Sequence, residues 1–233
     1  LGSFLNVCIS RIPENKSIIT PGSTCPSCGE PIKWYHNIPL ISYIYLKGRC
    51  RYCREPIAIR YFLVELFTGT GVASLYFFFS LTPDFFFTSI LLFVLVVITF
   101  IDIEHQLIPN KINIFGLAIG FLIAILSDYS MKEALIGMLT GGGTLLLVAI
   151  IGAIIFRKES MGGGDIKMAA MVGCFVGCYG IVVSLFYAFM VGGVIGIFAK
   201  FYHREYLPFG PFIAVGTFVF LIASDYFITF FIR

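Results

Sequence analysis

From Phe85 to Ile101 the chain reads FFFTSILLFVLVVITFI, and the next residue is Asp102. An uncharged apolar run approaching 20 residues is what hydrocarbon demands of a helix, because about 20 residues at ~1.5 Å rise cross its ~30 Å core. Comparable runs extend from Phe62 to Leu81, Ile112 to Leu126, Ala134 to Phe156, Met168 to Cys178, Ile181 to Ala199 and Phe212 to Ile232. Met168 to Cys178 is short; it borrows length from the glycine-rich segment before it or lies tilted among its neighbours. An apolar stub precedes Arg11 and reads as the remnant of a first span. Composition agrees: 58% of residues are hydrophobic and 12% charged, with a mean hydropathy of +0.94. Soluble domains carry about twice that charged fraction. The sequence predicts an all-α polytopic membrane protein of about eight transmembrane helices, the first truncated, with a small cytoplasmic insert.

Orientation follows from the lysines and arginines, which are retained on the cytoplasmic side near span ends. The segment from Arg11 to Arg60 carries eight of them, and Lys111, Arg157, Lys158, Lys167, Lys200 and Arg204 fall in later loops on the same side when the spans alternate. Only Lys132 and Arg233 fall on the other, with Asp84 and Asp128. The N-terminus shows no basic start, short apolar core and cleavage site of a signal peptide, so the spans themselves are expected to direct insertion. The net charge of +3 is thus an orientation signal. No basic soluble domain with groove-reading elements is visible, so no nucleic-acid partner is expected.

The insert from residue 11 to 60 is rich in Pro, Gly, Cys and basic residues, and too small to be held by apolar burial alone. Cys25-Pro26-Ser27-Cys28 and Cys50-Arg51-Tyr52-Cys53 are two CxxC pairs separated by twenty-one residues. That is a zinc-ribbon spacing: each turn aims two thiolates at one centre, and two turns close a tetrahedron with no open position. The site is therefore expected to be structural, with Zn²⁺ first among metals. Gly29 and Gly48 suit the tight turns of such knuckles. Two disulfides or a redox pair are the competing readings; a cytoplasmic address and the lack of a thioredoxin-like βαβ pattern argue against them. Cys8, Cys174 and Cys178 lie in or beside apolar runs and read as packing residues, although Cys174 and Cys178 share an i, i+4 spacing. The glycines 141–143 sit inside a span and read as a close helix contact.

Ionisable groups at or within spans need a partner, a wet cavity or a function. Asp102 ends the span Phe85 to Ile101, and Asp165 follows Met161-Gly162-Gly163-Gly164 at the opening of another. Alternation places both at the cytoplasmic side. Two carboxyl groups held close in low dielectric share a proton, so that one acts as base and the other as acid, as in aspartic proteases. As a simple helix cap Asp165 is well placed and Asp102 badly, since a helix C-terminus repels negative charge. Glu104 and His105 are read as solvated loop residues close to Asp102. His36, His105 and His203 are scattered, and no Ser/His/Asp order, HExxH or P-loop pattern appears.

These residues resemble the type IV prepilin peptidases, membrane aspartic proteases of the GxGD class. The resemblance runs through Gly2-Ser3-Phe4-Leu5-Asn6-Val7 with Arg11-Ile12-Pro13, the two CxxC pairs, Asn37-Ile38-Pro39-Leu40-Ile41-Ser42-Tyr43, Leu46-Lys47-Gly48 and Arg60-Tyr61-Phe62-Leu63-Val64-Glu65. It continues through Phe100-Ile101-Asp102, Ile108-Pro109, Met161 to Lys167 and Pro208-Phe209-Gly210-Pro211-Phe212. The resemblance implies that Asp102 and Asp165 are the catalytic pair. It implies type IV prepilins or pseudopilins as substrates, cut after a glycine, and S-adenosylmethionine as donor for methylating the new N-terminal amine. It also implies the bacterial inner membrane as the location. The chain then divides into a remnant helix (1–10), a four-cysteine metal-binding domain (11–60) and a transmembrane aspartic protease domain (61–233). The basic insert would repel a basic leader unless Glu14, Glu30 or Glu55 lines the path. No contacts to S-adenosylmethionine can be assigned from the sequence.

Two other readings stand beside this one. A cation channel or transporter would place carboxylates near mid-bilayer and show internal repeats, and neither is apparent. A membrane-anchored zinc module that recruits partners would need only one span and leaves both aspartates without a role.

Overall fold

The computed structural model describes the chain except residues 34, 36, 37, 128, 158–160, 202–206 and 232–233; at 156, 199–201 and 224–231 only the backbone is described. Lys158, Arg204, Arg233, Asp128, His36, Asn37 and His203 therefore lie outside the described residues. The helices are α1 (Gly2–Arg11), α2 (Ile41–Tyr45), α3 (Ile59–Phe79), α4 (Pro83–His105), α5 (Asn110–Leu126), α6 (Met131–Phe156), α7 (Gly163–Phe201) and α8 (Gly210–Phe231). Their starts follow from local chemistry. Pro83, with no N–H to lose, opens α4 with Asp84 in its first turn; Ser130 accepts the Lys132 N–H at the start of α6.

Among the described residues, four helices are long and apolar enough to cross a membrane: α3, α4, α6 over Met131–Ile155 and α7 over Gly163–Phe198. The chain is a multi-pass membrane protein, with α5 and α8 as shorter apolar helices. Burial separates their roles. In α4, Leu91, Leu95, Ile98 and Ile101 are almost fully enclosed and form the axis of the core. In α6, Leu139, Leu147, Ile154 and Ile155 are exposed; an apolar outer face on a helix packed along its other side is a surface for lipid.

The two expected spans from Met168 to Cys178 and Ile181 to Ala199 form one element, α7, broken at Gly177 (φ 73°, ψ −179°). The break reverses the chain. Gly141 of α6 lies against both Ala169 before it and Ile181 after it, so the two limbs of α7 run in opposite directions. Only glycine takes that backbone conformation without strain. The break also cancels the i, i+4 face of Cys174 and Cys178: Cys174 is buried against Gly120 of α5, and Cys178 accepts the Thr140 hydroxyl. The second limb is antiparallel to α8, with Gly180 against Phe220 and Gly192 against Phe212.

Close backbone approach holds α6 on α7. A Cβ at Gly137 would strike the Gly173 carbonyl and one at Gly141 the Ala169 carbonyl, whereas Gly143 faces open space. The glycine triplet is thus a packing device on one side only. Gly137→Val should lower the thermal midpoint in detergent by roughly 5 °C, from an overpacking penalty of about 1–3 kcal/mol. Gly143→Ala should hold or raise it; an equal loss in both variants would contradict the assigned contact.

Candidate active site

Asp102 stands in the last turn of α4, which continues to His105 and closes with Gln106 in a left-handed conformation (φ 53°) whose N–H bonds to the Asp102 carbonyl. The helix outruns the apolar stretch by a full turn, so Asp102 lies inside it. Asp165 sits in the first turn of α7, its N–H bonded to Gly162 O at 3.1 Å. Both are buried, at 5% and 7% exposure, and both border Ile108, which packs on Gly164 beside Asp165 and lies against Gly210, the residue bonded to Asp102. The structure therefore brings together the two aspartates singled out in the sequence.

Their surroundings come from two loops. Gly210, at the start of α8, donates its N–H to Asp102 Oδ2 at 3.0 Å. A Cβ there would stand 2.7 Å from that oxygen and 3.4 Å from Ile108 Cδ1. Ile108 also packs on Gly164, where a Cβ would come within 3.0 Å, while Gly163 is open. Gly164 is thus needed for packing beside Asp165, and Gly163 is the glycine that leaves space. Asp165 Oδ1 is buried without a hydrogen-bond partner among the described residues. A helix-capping aspartate uses its carboxylate on backbone N–H groups, so capping does not account for this oxygen.

The same end of the bundle gathers the basic residues. Arg60, opening α3, is ion-paired with Glu104, two residues beyond Asp102. Lys111 donates to Asn15 at 2.7 Å and Lys167 to Asn110 at 2.8 Å. Glu104 is therefore exposed as expected, but it stands in the last turn of α4 rather than in a loop and is tied across to α3. Nothing in the sequence spacing joins it to a residue 44 positions earlier.

The cysteine insert is built from two matching knuckles. Cys25 N–H bonds to Glu30 O at 2.9 Å and Gly29 N–H to Cys25 O at 2.9 Å; Cys50 N–H bonds to Glu55 O at 2.8 Å and Arg54 N–H to Cys50 O at 3.1 Å. The left-handed residue of the first turn is Gly29 (φ 72°), as expected, but in the second it is Arg54 (φ 64°). Gly48 instead closes the short helix α2, its N–H on Tyr43 O at 2.8 Å. The four sulfur atoms lie within 4.8 Å of one another. Cys25 and Cys53 Sγ are 3.9 Å apart, close to the ~3.8 Å edge of a tetrahedron with ~2.3 Å metal–sulfur bonds and far from a ~2.05 Å disulfide. The N–H groups of Cys28 and Ser27 aimed at Cys25 lower its thiol to about 6, whereas desolvation and the neighbouring thiols raise Cys28 and push Cys53 up to about 12, a repulsion between thiolates that a bound cation would offset. The donor set fits Zn²⁺.

A helical membrane protein with two buried carboxyl groups at one end, beside a four-thiol insert, is the class that fold and site define. The chain belongs to the type IV leader peptidase family: residues 89–197 match the model of that name, and residues 1–79 match the bacterial peptidase A24 N-terminal domain. Its relatives include proteins named prepilin leader peptidase/N-methyltransferase. That of Aeromonas salmonicida (strain A449) is 33% identical over 97% of this chain and 88% of its own length. That of Bacillus subtilis (strain 168) is 32% identical over 100% and 94%. That of Myxococcus xanthus (strain DK1622) is 37% identical over 84% of this chain, spanning 59% of the relative. No solved structure matches the chain.

Proposed function

We propose that the chain is a prepilin leader peptidase with N-methyltransferase activity, in which Asp102 and Asp165 are the catalytic pair. The convergence of two buried carboxyl groups at the basic end of a membrane bundle carries this reading. A pilin or pseudopilin precursor is a short basic leader joined to an apolar helix already lying in lipid, so its scissile bond is presented where helix meets water. The clustering of Arg60, Lys111 and Lys167 at that end supports a cytoplasmic, inner-membrane site.

The chemistry needs no nucleophilic side chain. One carboxylate takes a proton from water as the oxygen attacks the scissile carbonyl, while the other, protonated, donates to the developing oxyanion; on collapse the proton taken from water passes to the leaving amine and the oxyanion's proton returns to its donor. One water is consumed, and the leader leaves as a carboxylate. Gly210 N–H fixes the Asp102 carboxyl group, and backbone at Gly163 leaves room for an extended strand. S-adenosylmethionine, when bound, would supply a methyl group to the new amine in its neutral form, the S–C bond breaking as the C–N bond forms and the methylated nitrogen losing a proton to water.

We further propose that Cys25, Cys28, Cys50 and Cys53 hold a structural Zn²⁺. No position is left open for substrate, and the metal substitutes for the core that the insert is too small to build. The channel and scaffold readings lose ground together. Both carboxyl groups stand at one end of the bundle, and the helices form a site rather than a bare anchor.

Asp102→Asn and Asp165→Asn should each lower leader cleavage by roughly 10³-fold or more, measured by mass of the processed pilin in proteoliposomes. Full cleavage by both variants would end the reading. Gly210→Ala should displace Asp102 and cost about 10²-fold in kcat, while Gly196→Ala, facing open space, should leave cleavage intact; equal rates would contradict the role of Gly210. Chelation, or Cys25→Ser, should release one equivalent of zinc, expose the insert to protease and depress methylation more than cleavage. Normal methylation by metal-free protein would refute the structural role.

A further inference from the structure

The short helix α2 (Ile41–Tyr45) buries Ser42 and leaves Ile41, Ile44 and Tyr45 exposed at 65%, 65% and 77%. Ile38 before it and Ile59 at the start of α3 are exposed as well. On a small module surrounded by water, an apolar patch of this kind would be an aggregation liability. Its depth along α3 gives it another meaning.

α2 is fixed to the side of α3, below the opening of that helix. The Tyr43 ring packs on Phe62 with centroids 5.4 Å apart, and its hydroxyl donates to Ile57 O at 3.2 Å. Leu40, at the head of α2, donates its N–H to Glu65 Oε2 at 2.9 Å. Leu40 holds a φ of 61°, a strain that leucine keeps only where its surroundings impose it. α3 is long and apolar enough to span the membrane, and Arg60 in its first turn pairs with Glu104 at the polar end of the bundle. Glu65 lies five residues further along the helix, about 7.5 Å deeper at ~1.5 Å per residue. A headgroup layer is only about 5–7 Å thick. The start of α2 therefore stands where headgroups give way to acyl chains.

The backbone there is built for that surrounding. The N–H groups of Ile38, Leu40, Ser42, Ile44 and Leu46 bond to Ser42 Oγ, Glu65 Oε2 and the carbonyls of Ile38, Leu40 and Ser42, and Pro39 has no N–H to satisfy. Hydrocarbon tolerates irregular backbone only when such groups are paired within the protein. The chain then climbs back: Gly48 is level with Ile57, whose N–H bonds to its carbonyl at 2.7 Å. Lys47 and Arg49 flank that point and are exposed, as basic side chains are where they meet headgroup phosphates.

We propose that α2 is a re-entrant membrane anchor: residues 38–45 dip into the leaflet at the end of the bundle that holds the aspartates, with Ile41, Ile44 and Tyr45 as the lipid contacts. The four-cysteine insert is then no freely suspended module. Lipid holds its middle, as α1 and α3 hold its two ends, and so sets the height of the knuckles above Asp102 and Asp165.

Depth-resolved fluorescence quenching tests the anchor. The full-length protein carries a single tryptophan, and Trp34→Phe removes it. In that background, Ile41→Trp and Ile44→Trp reconstituted in lipid vesicles should each lose about half or more of their emission to lipids brominated on the acyl chain, and little to acrylamide in the water. Leu147→Trp, on the outer face of α6, is the lipid-side control, and Tyr52→Trp, between Cys50 and Cys53, should show the reverse pattern. Acrylamide quenching of both α2 variants to the level of Tyr52→Trp would place α2 in water. Protection from both quenchers would place a second copy or another protein over it. Either result would overturn the anchor while leaving the leader peptidase reading untouched.

Discussion

Two carboxyl groups enclosed at the same end of a helix bundle are the constraint on which this structure turns. Burial without a salt-bridge partner is unfavourable for either group alone, and their proximity makes it worse. Asp102 also sits in the last turn of α4, where the helix dipole opposes negative charge. Such an arrangement persists only where surrounding contacts fix it. Here these are Ile108 wedged against Gly164 and Gly210, the Gly210 N–H on Asp102, and the close packing of α6, α7 and α8.

The packing that positions the pair is largely backbone against backbone. Gly137 meets Gly173, and Gly216 meets the Ser184 carbonyl. In lipid, where apolar burial gives helices little reason to associate, close approach of small residues is the remaining source of precision. The reversal at Gly177 then places α7 twice against α6, so the limb bearing Asp165 is held by a neighbour that also contacts the returning limb. The insert is built differently, with paired knuckles and four thiols in place of an apolar core. The two halves touch through Arg60, which opens α3 and reaches Glu104 two residues beyond Asp102.

Much of this was legible in the sequence because the signals are local. Apolar runs marked the long helices, two CxxC pairs marked the insert, and two acids at span ends stood out against a chain with few charges. The reversal at Gly177 was placed only to within a few residues, since a glycine-rich apolar stretch has no polar loop to punctuate it. Gly210 could not be found as a partner of Asp102: its contact is a backbone N–H across 108 positions, and glycine has no side chain to betray it. Arg54 in the left-handed turn of the second knuckle was hidden for the opposite reason, because that conformation is expected of glycine and Gly48 stood nearby. The Arg60–Glu104 pair joins two charged residues that each look solvated in isolation.

The nearness of the two aspartates is open to direct measurement. With Cys8, Cys174 and Cys178 replaced by serine or alanine and the four cysteines of the insert retained, cysteines at positions 102 and 165 can be probed in membranes with bifunctional thiol reagents of graded span. The structure predicts cross-linking by the shortest reagents, as for a control pair of cysteines at positions 140 and 178, whose side chains meet at 3.4 Å. Failure to link 102 to 165 with any reagent, while the control pair reacts, would contradict the shared site.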